Sequence, residues 1–525
     1  MKRRAFLRGS ATAAAAPFVL NGLSVKALAG NPMFEAVQAA ACEDRVLVLI
    51  QMVGGNDGLN TVIPLDQYAE YKAARSNIAI AETAALKLTN ATGLHPNMSL
   101  LAQMYTAGKV RVVQGVGYPI PNYSHFRSTD IWLSGSDSEE VIATGWMGRY
   151  LENTYPGFPL GYPNATMPDP LAIQVGSTIS PGLEATNANM GMAFTDPNTY
   201  FNIVNGNTPV GVGARAGAEL AYVRTIGQQI ERFAAPVKAA AGRATNKSTK
   251  YPAVRTNPLA DQLKLVAQLI AGGLKTRIYI CTISGFDTHA YQNQGGPGSP
   301  VPHGTLLQQI SVAVDAFQDD LRLLAVQDRV IGMTFSEFGR RIKSNAGGGT
   351  DHGAAAPIIL FGTSVVSGVL GENPTIPTNP SPEDNLPMQY DFRSVYATLL
   401  HDWFCVPPEI IRTMLFREFP RLQLLQGGST TGGIMESLAD PSTQLRVAPN
   451  PISSTASITF TAPQGPIELS IFDASGKQLA RLMEGDHAGG ASSASYNLSS
   501  LSSGYYYIRL QHRSGAKVIP VTVQH

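Results

Sequence analysis

The chain has 525 residues, too many for one typical domain, so a large domain with at least one smaller companion is expected. Hydrophobic residues make up 44% and charged residues 15%, the balance of a globular protein with a large core and a lightly charged surface. A formal net charge of +1 excludes recruitment of nucleic acid or an anionic membrane by a global field.

The opening stretch, MKRRAFLRGSATAAAAPFVLNGLSVKALAG, reads as a signal peptide over residues 1–29. Lys2, Arg3, Arg4 and Arg8 make a basic start, an alanine-rich apolar stretch follows, and small residues precede Gly30. The RRAFLR core resembles the twin-arginine export signal, which implies passage of a folded protein through the periplasm. No later stretch is apolar for long enough to span a bilayer. The three cysteines, Cys42, Cys281 and Cys405, are too few and too scattered to predict a disulfide framework.

Residues 45–425 alternate strand-like and helical patterns. VLVLIQM, KVRVVQGVG, PLAIQVG, TRIYICTI, RVIGMTFS and PIILFG are near-continuous apolar runs, as expected of parallel strands covered on both faces. LADQLKLVAQLIAGGL and LLQQISVAVDAFQDDLRLLAVQ have helical periodicity. The alternation predicts an α/β domain with a mostly parallel sheet flanked by helices. Residues 426–446, rich in Gly, Ser and Thr, read as a linker. Residues 447–525 alternate apolar and polar positions between turns, which predicts a small all-β sandwich.

Ligands of a parallel sheet bind beyond the carboxyl ends of its strands, and five stretches place polar groups there. QMVGGNDGLN puts Asp57 past a Gly-Gly turn. NYSHFRSTD gives Ser124 and His125. GFDTHA gives Asp287 and His289. TFSEFGRRI gives Glu337, Arg340 and Arg341, and GGGTDHGAAAP gives Asp351 and His352. This mixture of Asp, Glu and His suits a divalent ion such as Zn or Mn, able to activate water or a hydroxyl and to clamp an anion. Taken singly, each residue reads as readily as a turn, a cap or a core group. His95 reads as a capping or buried residue at a helix start, His303 as a candidate third imidazole, and Trp132 and Trp146 as core.

VLVLIQMVGGNDGLNTVIP, VRVVQGVGYPIPNYSHFRSTDIW, GFDTHAYQ and TFSEFGRRIKSNAGGGTDHGAAAPIILFG resemble domain-of-unknown-function family 1501, a branch of the alkaline phosphatase and sulfatase superfamily. The resemblance implies an alkaline phosphatase-like fold over residues 45–425. It implies Ser124 as nucleophile, and Asp57, Asp287, His289, Glu337, Asp351 and His352 as metal ligands. Phe338 stands where the superfamily pattern has a ligating His, so one metal is expected rather than two. Arg127, Arg340 or Arg341 would hold the anionic oxygens of the substrate. APNPISSTASITF, LSIFDASGKQLARL, YNLSSLSSGYYYIRLQ and KVIPVTV resemble the C-terminal sorting domain of type IX secretion substrates. That resemblance implies an encounter with the secretion machinery and delivery to the cell surface or the medium. Two functions fit these expectations: a metal-dependent hydrolase of phosphate or sulfate esters, with a small anionic ester or glycan-linked substrate, or a non-catalytic surface protein with a degenerate site.

Overall fold

A computed structural model describes residues 42–196, 232–297, 301–427, 444–473, 478–512 and 515–524. The expected signal peptide and most of the expected linker lie outside these residues. The chain divides into two compact units, the second comprising Arg417–Gln423 and the chain from Ser429 onward.

The first unit is built on a nine-stranded sheet. Its strands are β1 (Val46–Val53), β2 (Val110–Gly117), β3 (Ala172–Val175), β4 (Gly191–Phe194), β5 (Ile278–Ser284), β6 (Val330–Phe335), β7 (Ala356–Phe361), β8 (Gly368–Leu370) and β9 (Tyr390–Asp391). They run in the order β8-β2-β7-β6-β1-β5-β3-β4, with β9 beside β2. β1 lies between β5 and β6, parallel to both, with Gln51 opposite Thr282 and Phe335. β7 is antiparallel to both β2 and β6. The sheet is therefore mixed at β7, which the apolar runs did not reveal, because a strand buried on both faces reads the same in either direction.

Three helices carry part of the site or pack the core beneath it: α1 (His125–Ser134), α2 (Pro258–Ala271) and α3 (His303–Leu323). α2 starts at Asn257, whose side chain accepts from the Ala260 amide, and it buries Leu259, Leu263, Val266 and Ile270 at helical spacing. Leu306, Leu307, Ile310, Val314 and Phe317 of α3 join the same core, together with Val46, Val48 and Ile50 of β1. Trp132 and Trp146 are buried, as expected. Among the described residues no helix is long and apolar enough to cross a membrane.

One expectation is overturned. Cys42 and Cys405 form a disulfide across 363 residues of sequence, while Cys281 is buried in β5. Spacing could not show this pair, because the fold brings its halves together: Arg45 donates to the carbonyls of Asp402 and Trp403 at 2.8 Å each. Such a bond suits an oxidising compartment.

The second unit is all-β. β10 (Gln444–Ala448), β11 (Thr455–Ala462) and β14 (Gly490–Asn497) form one antiparallel sheet in the order β10-β11-β14. β12 (Gly465–Asp473), β13 (Gln478–His487), β15 (Gly504–His512) and β16 (Gly515–Val523) form another in the order β13-β12-β15-β16. Alternate residues Ile458, Phe460, Leu469, Ile471, Ile508 and Leu510 fill its core.

Candidate metal centre

β1, β2, β5 and β6 all end on the same edge of the sheet, and antiparallel β7 begins there. The segments following or preceding those ends therefore meet. Gly54 and Gly55 turn the chain away from β1 with φ of +124° and +83°. A Cβ on Gly54 would lie 2.3 Å from the Asp287 amide nitrogen, and one on Gly55 would lie 2.3 Å from the Phe338 ring. Glycine is required here because the β1 and β5 turns touch backbone to backbone.

Asp287 sits at the centre of the cluster. Its Oδ1 lies 3.5 Å from His125 Nε2, 3.2 Å from His289 Nε2 and 3.2 Å from His352 Nε2. The Nε2 atoms of His289 and His352 are 2.8 Å apart. Each imidazole is held from behind through Nδ1. His125 Nδ1 is 2.9 Å from Glu337 Oε1, His289 Nδ1 is 3.1 Å from Asp351 Oδ1, and His352 Nδ1 is 2.8 Å from the Tyr123 carbonyl. Acceptors at all three Nδ1 positions place the proton there and turn the Nε2 lone pairs inward. The Phe338 ring packs against His125 and His352 at centroid distances of 4.9 and 4.5 Å.

Glu337 and Arg340 build this arrangement from below. Glu337 is buried and also accepts the Gly54 amide at 2.8 Å. Arg340 is fully buried and donates to the carbonyls of Gly54, Gly55, Phe286 and Thr350 and to Asp287 Oδ1, the last at 2.8 Å. Burial would raise the Asp287 pKa, but the Arg340 hydrogen bond and charge outweigh it and hold the carboxyl ionised. The hydrogen bond with Glu337 raises the pKa of His125.

Asp57 is paired with Arg75. It is fully buried, with both oxygens bound by Arg75 Nη1 at 2.7 and 2.6 Å and Oδ2 also by Gln292 at 2.6 Å. Burial disfavours its charge, yet Arg75 and His303 beside it depress its pKa. Its oxygens serve an internal ion pair. His303 does not supply the third imidazole either: it is buried with Nε2 2.9 Å from Asn56 Oδ1 and Nδ1 without a partner. His95 caps a short helical turn, its Nδ1 accepting from the Asn97 amide at 3.1 Å. Arg127 pairs with Asp130 and ties down the carbonyls of Asp137, Ser138 and Glu140, and the buried Arg340 has no side-chain exposure for a substrate. Ser124 is exposed at the N-terminus of α1, its hydroxyl making no cap hydrogen bond.

The ring that reasoning from sequence left without a role is His125. It was named among the polar groups beyond the strands but given no ligand position; the segments that follow β2 and β5 reach across the sheet edge and bring it to 3.5 Å from Asp287 Oδ1.

His125, Asp287 and His352 each offer one ligand atom, all within 4.8 Å of one another, and so form a candidate metal site. The donor set fits a cation. One proton can bridge only one pair among the inward Nε2 atoms of His125 and His352 and the Asp287 carboxylate, whereas a divalent ion satisfies all three; His289 Nε2, 2.8 Å from His352 Nε2, lies beside this set. Nitrogen and carboxylate donors of this kind are those of zinc centres.

Residues 226–420 match the family model described as "Protein of unknown function (DUF1501)", and residues 446–524 match the secretion system C-terminal sorting domain. The chain carries both. The sorting domain indicates export to the cell surface or extracellular space. The family match includes Asp287, His289, Glu337, Asp351 and His352 and stops short of Asp57 and His125.

Comparison with curated proteins gives no match. Among solved structures, 15% of this chain overlays PorZ, a surface component of the type-IX secretion system of Porphyromonas gingivalis, at 17% identity and a TM-score of 0.11. The chain spans only 11% of PorZ. An alkaline phosphatase superfamily protein from Vibrio parahaemolyticus overlays at 9% identity and a TM-score of 0.32, covering 80% of this chain and 76% of that one. The PsFucS1 sulfatase from Pseudoalteromonas sp. overlays at 10% identity and 0.33, covering 88% of this chain and 87% of that one. Overlays this loose leave the chemistry to be argued from this chain's own residues.

Proposed function

We propose that the exported chain is a hydrolase of phosphate or sulfate esters that works with one divalent metal, zinc or manganese. The observation that carries this reading is the convergence of His125, His289 and His352 on Asp287 Oδ1, with every Nδ1 held by an acceptor. His125, Asp287, His289 and His352 would hold the ion. Glu337 and Asp351, expected as ligands, act in this reading as the groups that orient His125 and His289. Asp57 acts as the partner of Arg75, which leaves one metal site.

The bound ion would supply Lewis acidity toward an anionic ester oxygen. Ser124 stands between Tyr123, whose carbonyl orients His352, and His125. Its hydroxyl, free of capping, is the nucleophile: Oγ bonds to the phosphorus or sulfur and gives up its proton to solvent. The bond to the leaving alcohol breaks, and water then releases the anion from Ser124. The amides at the start of α1 favour negative charge beside that hydroxyl.

Turnover of aryl phosphates and sulfates by the full chain, supplied with zinc or manganese, tests this. Ser124→Ala is expected to lose several orders of magnitude in kcat while keeping its metal. Undiminished turnover in that variant would remove Ser124 from the mechanism.

A further inference from the structure

Of the three arginines expected near the site, two have fixed structural partners. The third, Arg341, is different. Its amide donates to the Asp351 carbonyl at 3.0 Å, so it directly flanks the segment carrying Asp351 and His352. Its guanidinium lies over the Tyr123 ring, 5.1 Å from the centroid, and the carbonyl of that same tyrosine orients His352. Its ion-pair partner is Glu383, at 2.8 Å, whose side chain is 82% exposed while that of Arg341 is 14% exposed. Asn385, two residues on, donates to the Tyr123 hydroxyl at 3.0 Å. A cation held on an aromatic face beside the centre is thus covered by Glu383 alone, whose backbone carbonyl accepts from Arg341 Nη1 and whose solvent-borne carboxylate pairs with Nη2. Such a pair is worth little in water, and an incoming anion can take the place of Glu383 at small cost. The Nη2 donor that the Glu383 carboxylate holds would then take that anion in a charge-assisted bond, while Nη1 stays on the Glu383 carbonyl.

We propose that Arg341 is a specificity-determining residue that binds a second anionic group on the substrate, in exchange with Glu383. This rests on the hydrolase reading of the centre and narrows its substrate class to esters bearing a further carboxylate, phosphate or sulfate on the leaving group. Tyr123 sets the separation between the two anions, since its backbone faces His352 and its ring faces Arg341.

The test is calorimetric binding of phenyl phosphate and 4-carboxyphenyl phosphate to the zinc-supplied full chain, with turnover followed in parallel. The wild type is expected to bind the carboxylated ester about tenfold more tightly, the worth of one charge-assisted contact. Arg341→Ala should abolish that preference, so that the two esters bind alike. Glu383→Gln, which disturbs only an exposed side chain, should widen it. A wild type without the preference, or an Arg341→Ala protein that retains it, overturns the proposal. A preference that depends on Arg341 but comes without turnover leaves Arg341 in its role and removes the hydrolase reading.

Discussion

His303 and His95 are neutral imidazoles kept inside the first unit. Burial pushes His303 down to about 3 and His95 down to about 4. For both, the nearby Asp57 opposes the shift; for His303, the charge that His95 gains when protonated and the positive charges of Arg340 and Arg75 add to it. In the unfolded chain each titrates near about 6.5. Between those values the unfolded chain binds more protons, so their contribution is complete above pH about 6.5 and is lost as pH falls toward the folded values. Each unit of pH within that window costs up to about 1.4 kcal/mol per histidine. Urea unfolding should therefore show lower stability at pH 5 than at pH 7.5, and His303→Gln should flatten that slope. An unchanged slope in the variant would assign the pH response to other groups. At this scale the sequence was only partly legible. Asp287, His289 and His352 could be picked out because they follow or precede strands. Glu337 and Asp351 could be seen as acids near the site, yet whether an acid touches a metal or the back of a histidine depends on side-chain placement that spacing does not encode. Asp57 illustrates the same point, since its partner Arg75 lies 18 residues away on a segment with no site signature.

Between residues and domain, the turn after β1 governs the centre. Gly54 gives its amide to Glu337 and its carbonyl to Arg340, and those two side chains in turn fix His125 and Asp287. Gly54→Ala would add a Cβ 2.3 Å from the Asp287 nitrogen at a φ that L residues rarely adopt. It should destabilise the protein by more than ~1 kcal/mol and weaken metal binding along with it. Denaturant unfolding and metal content, measured on one sample, check both halves; a variant with wild-type stability and metal content would show that the turn is not the organiser. The strands of the sheet were readable because burial on two faces leaves an unbroken apolar run. The ribbon pairing Gly339–Arg340 with His352–Gly353 was not, because two-residue strands carry no periodicity.

Over the whole molecule, the alternation of strand-like and helical runs, giving way to apolar–polar alternation, foretold an α/β unit followed by an all-β one, and both are present. The Cys42–Cys405 disulfide escaped notice because a closure over 363 residues depends on tertiary structure alone. It agrees with the export that the sorting domain indicates. The central claim is that three histidines and one aspartate form a single metal centre, with Asp57 outside it. Its most direct test is elemental analysis of the purified full chain after exposure to zinc and manganese, beside His125→Ala and Asp57→Asn. One equivalent of metal is expected in the wild type, a loss of it in His125→Ala, and its retention by whatever folded protein Asp57→Asn yields. Absence of metal from the wild type, or retention of the full equivalent by His125→Ala, would contradict the account and leave a binding or structural role as the better description.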